Sequence, residues 1–323
     1  MKILILNTKS VNNGIWKSYV EGFNSVFEKD FSLDFFKNKY ESTSEGTSWH
    51  AFYVDEEKNI VAGACSALPA NFSADGEKVK MAVLVDAFIL KDYRKNPFVL
   101  SQMYASLKEA MIKENVSIVV AVPNVNSYSY WKNIAGFKDA GNLNFWILPL
   151  NIGSVLGRHK WLNAFSRIFS KGAILVSKII ACAIDAAQPK YKYEPLIDDE
   201  FLSKRLPPSA YKRVVFKEYE FFYKIENEGG IKTAYLFYAA KNKIFKHSAL
   251  NFAVGEISKS EKPDIIIYVG KIGFARTSLF KVPKKFEPKK LPLIFDAIGE
   301  NGKYADASDI NNWDFSLVNY DVR

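Results

Sequence analysis

The sequence predicts a folded α+β protein of two domains, and three features of the chain lead to this prediction. Its 323 residues are more than one ordinary hydrophobic core organises and suit two cores. Hydrophobic residues make up 48% of the chain and aromatic residues 15%, which is enough apolar material to fill both. Apolar residues recur at helical spacing in some segments and in strand-like runs in others. We therefore expect helices and strands to be mixed along the whole chain.

The first 150 residues predict one domain. The short apolar run after Met1 suits a first strand rather than a signal peptide. Pro69 is expected to end one strand, Asp75-Gly76 to turn a hairpin, and Asn96 to cap a helix that has Pro97 at its first position. After the first strand, the expected elements are helices at 15–27 and 33–40, strands at 50–54, 60–68 and 79–90, a helix at 97–111, a strand at 117–122, a helix at 126–134 and a strand at 145–150.

Residues 151–200 predict a helical basic and apolar linker, followed by a second domain at 201–323. The run Gly172–Ala187 is apolar nearly all round, but Lys178 and Asp185 interrupt it and it is shorter than the roughly 20 residues of a membrane-spanning helix. Two interpretations stay open. The favoured one is a helix buried between the domains, and the other is a basic amphipathic element within 158–187 that contacts a membrane peripherally.

Charge and cysteine content narrow the functional classes. The net charge of +9 suits nucleic acid, an anionic membrane, an acidic small ligand such as a diphosphate, or solubility alone. We expect no DNA partner. The two cysteines, Cys65 and Cys182, lie far apart in apolar surroundings, which favours a reducing, cytoplasmic location. Cysteine and histidine residues show no metal-ligand spacing, so no metal site is predicted, and serine-hydrolase chemistry lacks its Gly-x-Ser-x-Gly motif.

One segment, residues 85–100, predicts a site for a diphosphate. A strand leads into a tight turn, and the turn opens an amphipathic helix whose first free amides and dipole favour an anion. Arg94 and Lys95 add positive charge there. Further along the chain, Asn124 and Ser127 follow the next buried strand, and ligands of open sheets favour such strand ends.

Together these two segments resemble the core of the GNAT superfamily of N-acetyltransferases. Phe-Ile-Leu-Lys-Asp-Tyr-Arg at 88–94 stands where that family has its fourth strand and the start of its cofactor loop. Pro123-Asn124, and Gly136-Phe137 at the end of the next helix, match the family's fifth strand and fourth helix. The resemblance covers the first 150 residues. The remainder resembles a diverged second copy, so the fold class implied is a GNAT-like mixed sheet flanked by helices, followed by a second GNAT-like domain that is a candidate acceptor-binding half.

The resemblance implies acetyl-CoA as co-substrate, bound between the fourth and fifth strands. It implies Asp86 as a candidate general base and Tyr130 as a candidate acid. Asn126 and Ser127 are also candidate helix caps. The residues implied against acetyl-CoA are Phe88, Ile89, Leu90, Arg94, Lys95, Asn96, Phe98, Val99, Asn124, Asn126 and Ser127.

The chain departs from the family at two points. Pro97 and Val99 stand where the cofactor loop has glycines that allow close approach of a phosphate, and Lys132 stands at the usual position of the proton-donating Tyr. Three functions stay open. The first is an N-acetyltransferase acting on an amine, with a nucleotide-linked amino sugar of surface polysaccharide assembly as the first expectation. The others are a catalytically inactive GNAT-like binding module and a Fem-type aminoacyl transferase.

Overall fold

The computed structural model describes residues 1–157, 159, 161–187, 189–240, 246–273, 277–299 and 302–320, with 238–240 described by their backbone alone. Its helices are α1 (Asn13–Phe27), α2 (Leu33–Glu41), α3 (Val99–Lys113), α4 (Val125–Asn133), α5 (Ile152–Val155), α6 (Leu162–Ala183), α7 (Asp199–Arg205) and α8 (His247–Ser260). Its strands are β1 (Lys2–Asn7), β2 (Trp49–Asp55), β3 (Ile60–Ala74), β4 (Glu77–Ile89), β5 (Ile118–Ala121), β6 (Lys138–Asn142), β7 (Asn144–Pro149), β8 (Tyr193–Pro195), β9 (Lys212–Phe216), β10 (Tyr219–Glu228), β11 (Ile231–Ala240), β12 (Ile265–Gly270), β13 (Phe280–Lys281) and β14 (Pro292–Ala297).

These elements form two compact units that are interleaved in sequence. The first unit contains residues 1–142, 192–205 and 291–313, and the second contains 143–191, 206–290 and the residues from Asp314 onward. The domain boundaries predicted at 150 and 200 differ from these units. The difference arises because strand β7 leaves the first segment of the chain for the second sheet, whereas β8 and β14 return to the first sheet.

The first unit is built on a mixed sheet in the order β1-β2-β3-β4-β5-β14-β6, with β8 paired to β3. Neighbouring residues of β2 serve opposite faces of this sheet, as strand geometry requires. Ala51 joins the core that α3 covers, together with Met103 and Leu107. Phe52 packs instead against the aromatic rings of α1, including that of Tyr19. Two helices and a packed core therefore hold β3 and β4 from both sides.

The second unit repeats the central part of this topology. Its sheet has the order β13-β7-β12-β11-β10-β9. Strands β11 and β12 are parallel and joined through α8, as β4 and β5 are parallel and joined through α3. In each unit, the second strand of that pair has an antiparallel neighbour from another part of the chain, β7 beside β12 and β14 beside β5. The prediction of two GNAT-like copies is confirmed at the level of fold.

Strand β3 is longer than predicted because Pro69 does not end it. The strand runs to Ala74, and Pro69 pairs in register with Ala82 of β4. On the other edge of β3, pairing with β2 stops at Ala67 and pairing with β8 begins at Phe72. A residue without an amide hydrogen is tolerated in the unpaired stretch between them.

Helix α6 is not buried on all sides, so the favoured expectation of a buried helix is wrong. Its buried residues are Ser166, Ser170, Ser177 and Ala181, whereas large apolar side chains such as Ile168 and Ile179 are exposed. Arg158 and Lys160 of the predicted basic segment lie outside the described residues. Within the described part of the chain, no helix combines the length and the apolar character that crossing a membrane requires.

Candidate functional site

The candidate site begins where β4 and β5 separate. The two strands pair in parallel at three positions, from Met81 opposite Ile118 to Val83 opposite Val120. β4 continues to Ile89, but β5 ends at Ala121 and is paired on its far edge by β14. Among the described residues, the edge of β4 that faces β5 therefore has no strand partner after Val83. From Leu84 to Phe88, this open edge offers backbone groups to an extended ligand, whereas the Ile89 carbonyl already accepts from Arg94.

A bulge at Asp86 bends β4 just beyond the separation. Asp86 has φ of +53°, and Asp is one of the residue types that tolerate this region best. The register with β3 shifts there, since Val85 pairs with Ser66 and Phe88 pairs with Ala64. Two residues of β4 thus stand opposite Cys65 alone. Because a bulge bends its strand and increases the twist, it promotes the divergence of β4 from β5.

The Asp86 carboxylate is the centre of a buried hydrogen-bond network. Lys39 of α2 approaches it with Nζ–O distances of 2.9 and 2.7 Å, and the side chains of Lys39 and Asp86 are 4% and 9% exposed. The Tyr40 hydroxyl donates to Oδ2 at 2.6 Å and is hydrogen-bonded to the Tyr19 hydroxyl. Burial, and after it the charge of Asp86, holds the pKa of Tyr40 well above its usual range. The network fixes α2 to the bulge and leaves Tyr40 a neutral donor.

This network constrains Asp86 as a general base. Two donors already occupy its oxygens, so an amine proton would have to enter beside Lys39 and Tyr40. A carboxylate has about four lone-pair sites, so acceptor capacity remains. The catalytic role of Asp86 stays a prediction. Sequence reasoning missed Lys39 and Tyr40, because α2 shows the aromatic spacing of a core helix and nothing local indicates its partner on β4.

Two other buried groups near the bulge have shifted pKa values. His50 is enclosed between the hydroxyls of Thr8 at 3.0 Å and Ser66 at 2.8 Å, and burial lowers the pKa of His50 to about 3. Burial, and to a lesser extent Asp86, raises the pKa of the Cys65 thiol. The imidazole is therefore neutral near pH 7 and the thiol protonated. Neither group is poised as a charged catalyst.

The predicted diphosphate turn has several of its donors already engaged. Helix α3 begins at Val99 rather than at Pro97, and Asn96 Oδ1 accepts from the Phe98 amide at 2.9 Å. The Val99 amide makes a long contact of 3.5 Å with the Asn96 carbonyl. Arg94 Nε folds back on the Ile89 carbonyl at 2.8 Å, whereas Lys95 extends into solvent. An anion at this turn would compete with Asn96 for the Phe98 amide and would draw Arg94 away from Ile89.

Tyr130, the candidate acid, is brought to the same turn. Its hydroxyl oxygen accepts from the Ser101 amide, in the first turn of α3, at 2.7 Å. The hydroxyl hydrogen has no acceptor within the described part of the chain, so it can donate to a ligand at the start of α3. Lys132, at the family's usual acid position, is instead ion-paired with Asp139, and this hydrogen bond raises the pKa of Lys132.

The polar residues after β5 serve the start of α4. Asn124 Oδ1 accepts from the amides of Asn126 and Ser127, both at 3.0 Å. The expectation that Asn126 and Ser127 are the caps is wrong: Asn124 caps the helix and they are its donors. Leu90, predicted against the cofactor, gives its amide to the Ala62 carbonyl of β3 at 2.8 Å. Its contact with a cofactor stays a prediction, as do those of Phe88 and Ile89.

Comparisons with known proteins support the fold. No family model matches the sequence, and no curated protein sequence matches it. A conserved Enterococcus faecalis protein described as a probable N-acyltransferase is 11% identical with a TM-score of 0.59, over 92% of this chain and 73% of that one. A Kribbella flavida GCN5-related N-acetyltransferase is 9% identical with a TM-score of 0.59, and the match covers 92% of this chain and 72% of that one. Saccharomyces cerevisiae N-myristoyltransferase with bound myristoyl-CoA is 10% identical with a TM-score of 0.55, and the match covers 91% of this chain and 82% of that one. The fold of this chain is GNAT-like.

Proposed function

We propose that this chain is an acyl-CoA-dependent N-acyltransferase, with acetyl-CoA as donor and an amine as acceptor. The observation that carries the proposal is the separation of β4 and β5 beyond Val83 with the bulge at Asp86. The pantetheine arm of CoA contains two amide groups. It can hydrogen-bond to the open edge of β4 in the way that an added strand does.

The turn before α3 supplies the other end of the proposed site. The α3 dipole and the side chains of Arg94 and Lys95 favour the diphosphate of CoA. The Leu100 amide has no hydrogen-bond acceptor within the described residues, and the Tyr130 hydroxyl can donate beside it. Because the Tyr130 hydroxyl lies at the start of α3, its position favours a contact with the diphosphate. Its role as the acid that protonates the thiolate remains a prediction.

The proposed reaction is direct transfer. The amine nitrogen attacks the thioester carbon, the new C–N bond forms, and the C–S bond breaks. One proton leaves the nitrogen, and the thiolate of CoA takes up a proton. Asp86 is the candidate acceptor of the first proton because it lies at the bulge, beside the open edge of β4. The neutral Tyr40 hydroxyl steadies the carboxylate.

The acceptor proposed is an amine, and a nucleotide-linked amino sugar in the cytoplasm is the first to test. The net charge of +9 suits both diphosphates, that of CoA and that of the nucleotide sugar. One structural neighbour holds myristoyl-CoA, so a longer acyl chain belongs in the donor panel.

A binding module without catalysis is the second candidate, and the turn before α3 favours it. Pro97 lacks an amide hydrogen, and Asn96 already engages the Phe98 amide. Both features reduce the number of donors that a diphosphate would find. For a Fem-type aminoacyl transferase no such feature stands out among the described residues.

Thermal unfolding with increasing acetyl-CoA separates the two candidates. Binding to the native state alone raises stability by about 2.7 kcal/mol at a concentration of 100 times Kd. Free CoA, myristoyl-CoA and tRNA serve as comparison ligands, and release of the CoA thiol is then followed with a panel of amines. A saturable shift with acetyl-CoA and thiol release that requires an amine support the enzyme. No shift with any CoA species contradicts it and favours the module, whereas salt-sensitive binding of tRNA indicates the aminoacyl transferase.

A further inference from the structure

Helix α6 of the second unit has an apolar face whose large side chains are each more than half exposed. Phe165 and Ile168 are 70% and 72% exposed, and Leu175 and Ile179 are 58% and 60% exposed. At about 100° per residue these positions fall on one side of the helix, together with Phe169 and Val176. An exposed apolar patch of contiguous large side chains marks an interaction surface. We call these six residues the apolar face of α6.

The orientation of α6 is fixed by polar contacts on the opposite side. The Ser166 and Ser170 hydroxyls donate to the carbonyls of Leu150 and Pro149 at the end of β7, at 2.9 and 2.7 Å. The Ser177 hydroxyl is 2.7 Å from Nε2 of His247 in α8. All three serines are buried. Ala173 and Ile174 also pack against the core on that side, so α6 has apolar residues on its inner side as well as on its exposed face.

A basic edge borders the apolar face. Arg167, Lys171 and Lys178 project along one flank of α6, between the apolar face and the buried serines, and the helix contains no acidic residue. Phe169 of the apolar face stacks on Phe280 of β13 with ring centroids 5.2 Å apart. The exposed Lys281 follows Phe280, so the positive charge extends beyond the helix.

We propose that α6 lies in the plane of an anionic lipid bilayer surface, with its apolar face at the level of the acyl chains and its basic edge against the headgroup phosphates. A large apolar face combined with Lys and Arg at its border is the composition of interfacial helices. Trp161, 70% exposed just before the helix, has the residue type that membrane interfaces favour. The cationic border identifies an anionic lipid surface, rather than a second copy of this equally basic chain, as the partner of complementary charge. This proposal does not rest on the proposed transferase activity.

Trp161 provides a direct readout. Four of the six tryptophans are buried and Trp146 is half-buried, so Trp161 is the only largely exposed tryptophan. The full-length protein is mixed with vesicles of phosphatidylcholine alone, or of phosphatidylcholine with an equal amount of phosphatidylglycerol. We expect a blue shift of emission and sedimentation with the anionic vesicles, and loss of the emission shift in Trp161→Phe.

Two pairs of substitutions test the two halves of the surface. Phe165→Ser with Ile168→Ser is expected to weaken partitioning on the order of 100-fold, because two large side chains no longer leave water. Lys171→Gln with Lys178→Gln is expected to weaken binding to anionic vesicles by about 5-fold per lysine. The matched control is Ile112→Ser, an exposed apolar position on α3 of the first unit, which is expected to bind as the unchanged protein does.

Three results would overturn the proposal. One is the absence of both the emission shift and sedimentation with anionic vesicles. Another is equal binding to both vesicle types that the lysine substitutions leave unaltered. The third is a concentration-dependent dimer, seen by light scattering without lipid, that the Phe165 and Ile168 substitutions abolish while vesicle binding is absent. That outcome would assign the apolar face to a second copy.

Discussion

Removing the cation that faces Asp86 is the sharpest test of how the bulge in β4 is held. In Lys39→Met, the Asp86 carboxylate loses the partner that contacts both of its oxygens and keeps the single hydrogen bond from Tyr40. Breaking a buried pair by removing one partner costs about 3–5 kcal/mol, because the remaining charge stays buried. Tyr40→Phe removes one hydrogen bond to a charged group, worth about 1.5–3 kcal/mol, and one to the neutral Tyr19 hydroxyl, worth about 1 kcal/mol. The structure therefore predicts a larger loss for the lysine than for the tyrosine.

The coupling is measured with a double-mutant cycle of Lys39→Met and Asp86→Asn, using urea unfolding followed by circular dichroism. Each single substitution leaves the other buried group without its ion-pair partner. The loss of unfolding free energy in the double variant is therefore expected to be smaller, by at least about 1 kcal/mol, than the sum of the two single losses. The control is Lys17→Met on the exposed side of α1, expected to change stability by less than about 0.5 kcal/mol. Additive losses, or a Lys39→Met cost as small as that of the control, would refute the buried network.

Three further predictions concern turnover, pH and packing. With an active amine, Asp86→Asn is expected to cut turnover at neutral pH while leaving acetyl-CoA affinity nearly intact, and an unchanged rate in this variant removes Asp86 from the mechanism. Arg94→Ala is expected instead to raise the acetyl-CoA concentration that half-maximal turnover requires. The pKa of His50 is about 3 in the folded chain and 6.5 ordinarily, so between these pH values the unfolded chain binds one more proton. The free energy of unfolding therefore falls by up to about 1.4 kcal/mol per pH unit as the pH drops from 6.5 toward 3. His50→Gln is expected to flatten that part of the curve of unfolding free energy against pH, and an unaltered slope contradicts the buried neutral imidazole. Gly63→Ala places a Cβ against Ile89 Cδ1 and 2.9 Å from the Phe88 carbonyl oxygen, and is expected to cost about 1–3 kcal/mol in urea unfolding.

The matched control for the glycine prediction is Gly172→Ala. Gly172 lies within α6, where a Cβ would meet nothing within 4 Å. Ala is favoured over Gly in a helix by about 0.5–1 kcal/mol, so this variant is expected to be stabilised. Equal effects at the two glycines would show that β4 does not pass as close to β3 as the structure places it.

The sequence predicts the local elements well because their signals are local. Aromatic spacing indicates α1 and α2, and the structure confirms both helices, which Asn12 and Ser32 cap. Strand β6 carries no such signal, because Lys138–Asn142 is short and polar. It is a strand because β14, distant in sequence, pairs with it.

For the candidate site, too, the sequence predicts the local elements and not the contacts between them. Strand, turn and helix can be recognised at 83–107, but the groups that engage the turn come from elsewhere in the chain. The spacing of α4 does not indicate that the Tyr130 hydroxyl reaches the Ser101 amide. The pairing of Lys39 with Asp86 likewise depends on how α2 packs on β4. Both contacts join elements that lie apart in sequence, so the residue pattern within one element does not predict them.

The placement of Asp86 favours a functional origin for its network over a stabilising one. Replacing a buried ion pair with packed apolar residues is often neutral or favourable, so stability alone gives little reason to keep Lys39 opposite Asp86. Asp86 is also the one non-glycine residue within the described strands that has a φ in the left-handed region. Strained conformations of this kind concentrate at functional sites. A buried cation, a neutral phenol and an irregular backbone meet just where β4 leaves β5, which is where a ligand that extends the sheet would place its reacting end.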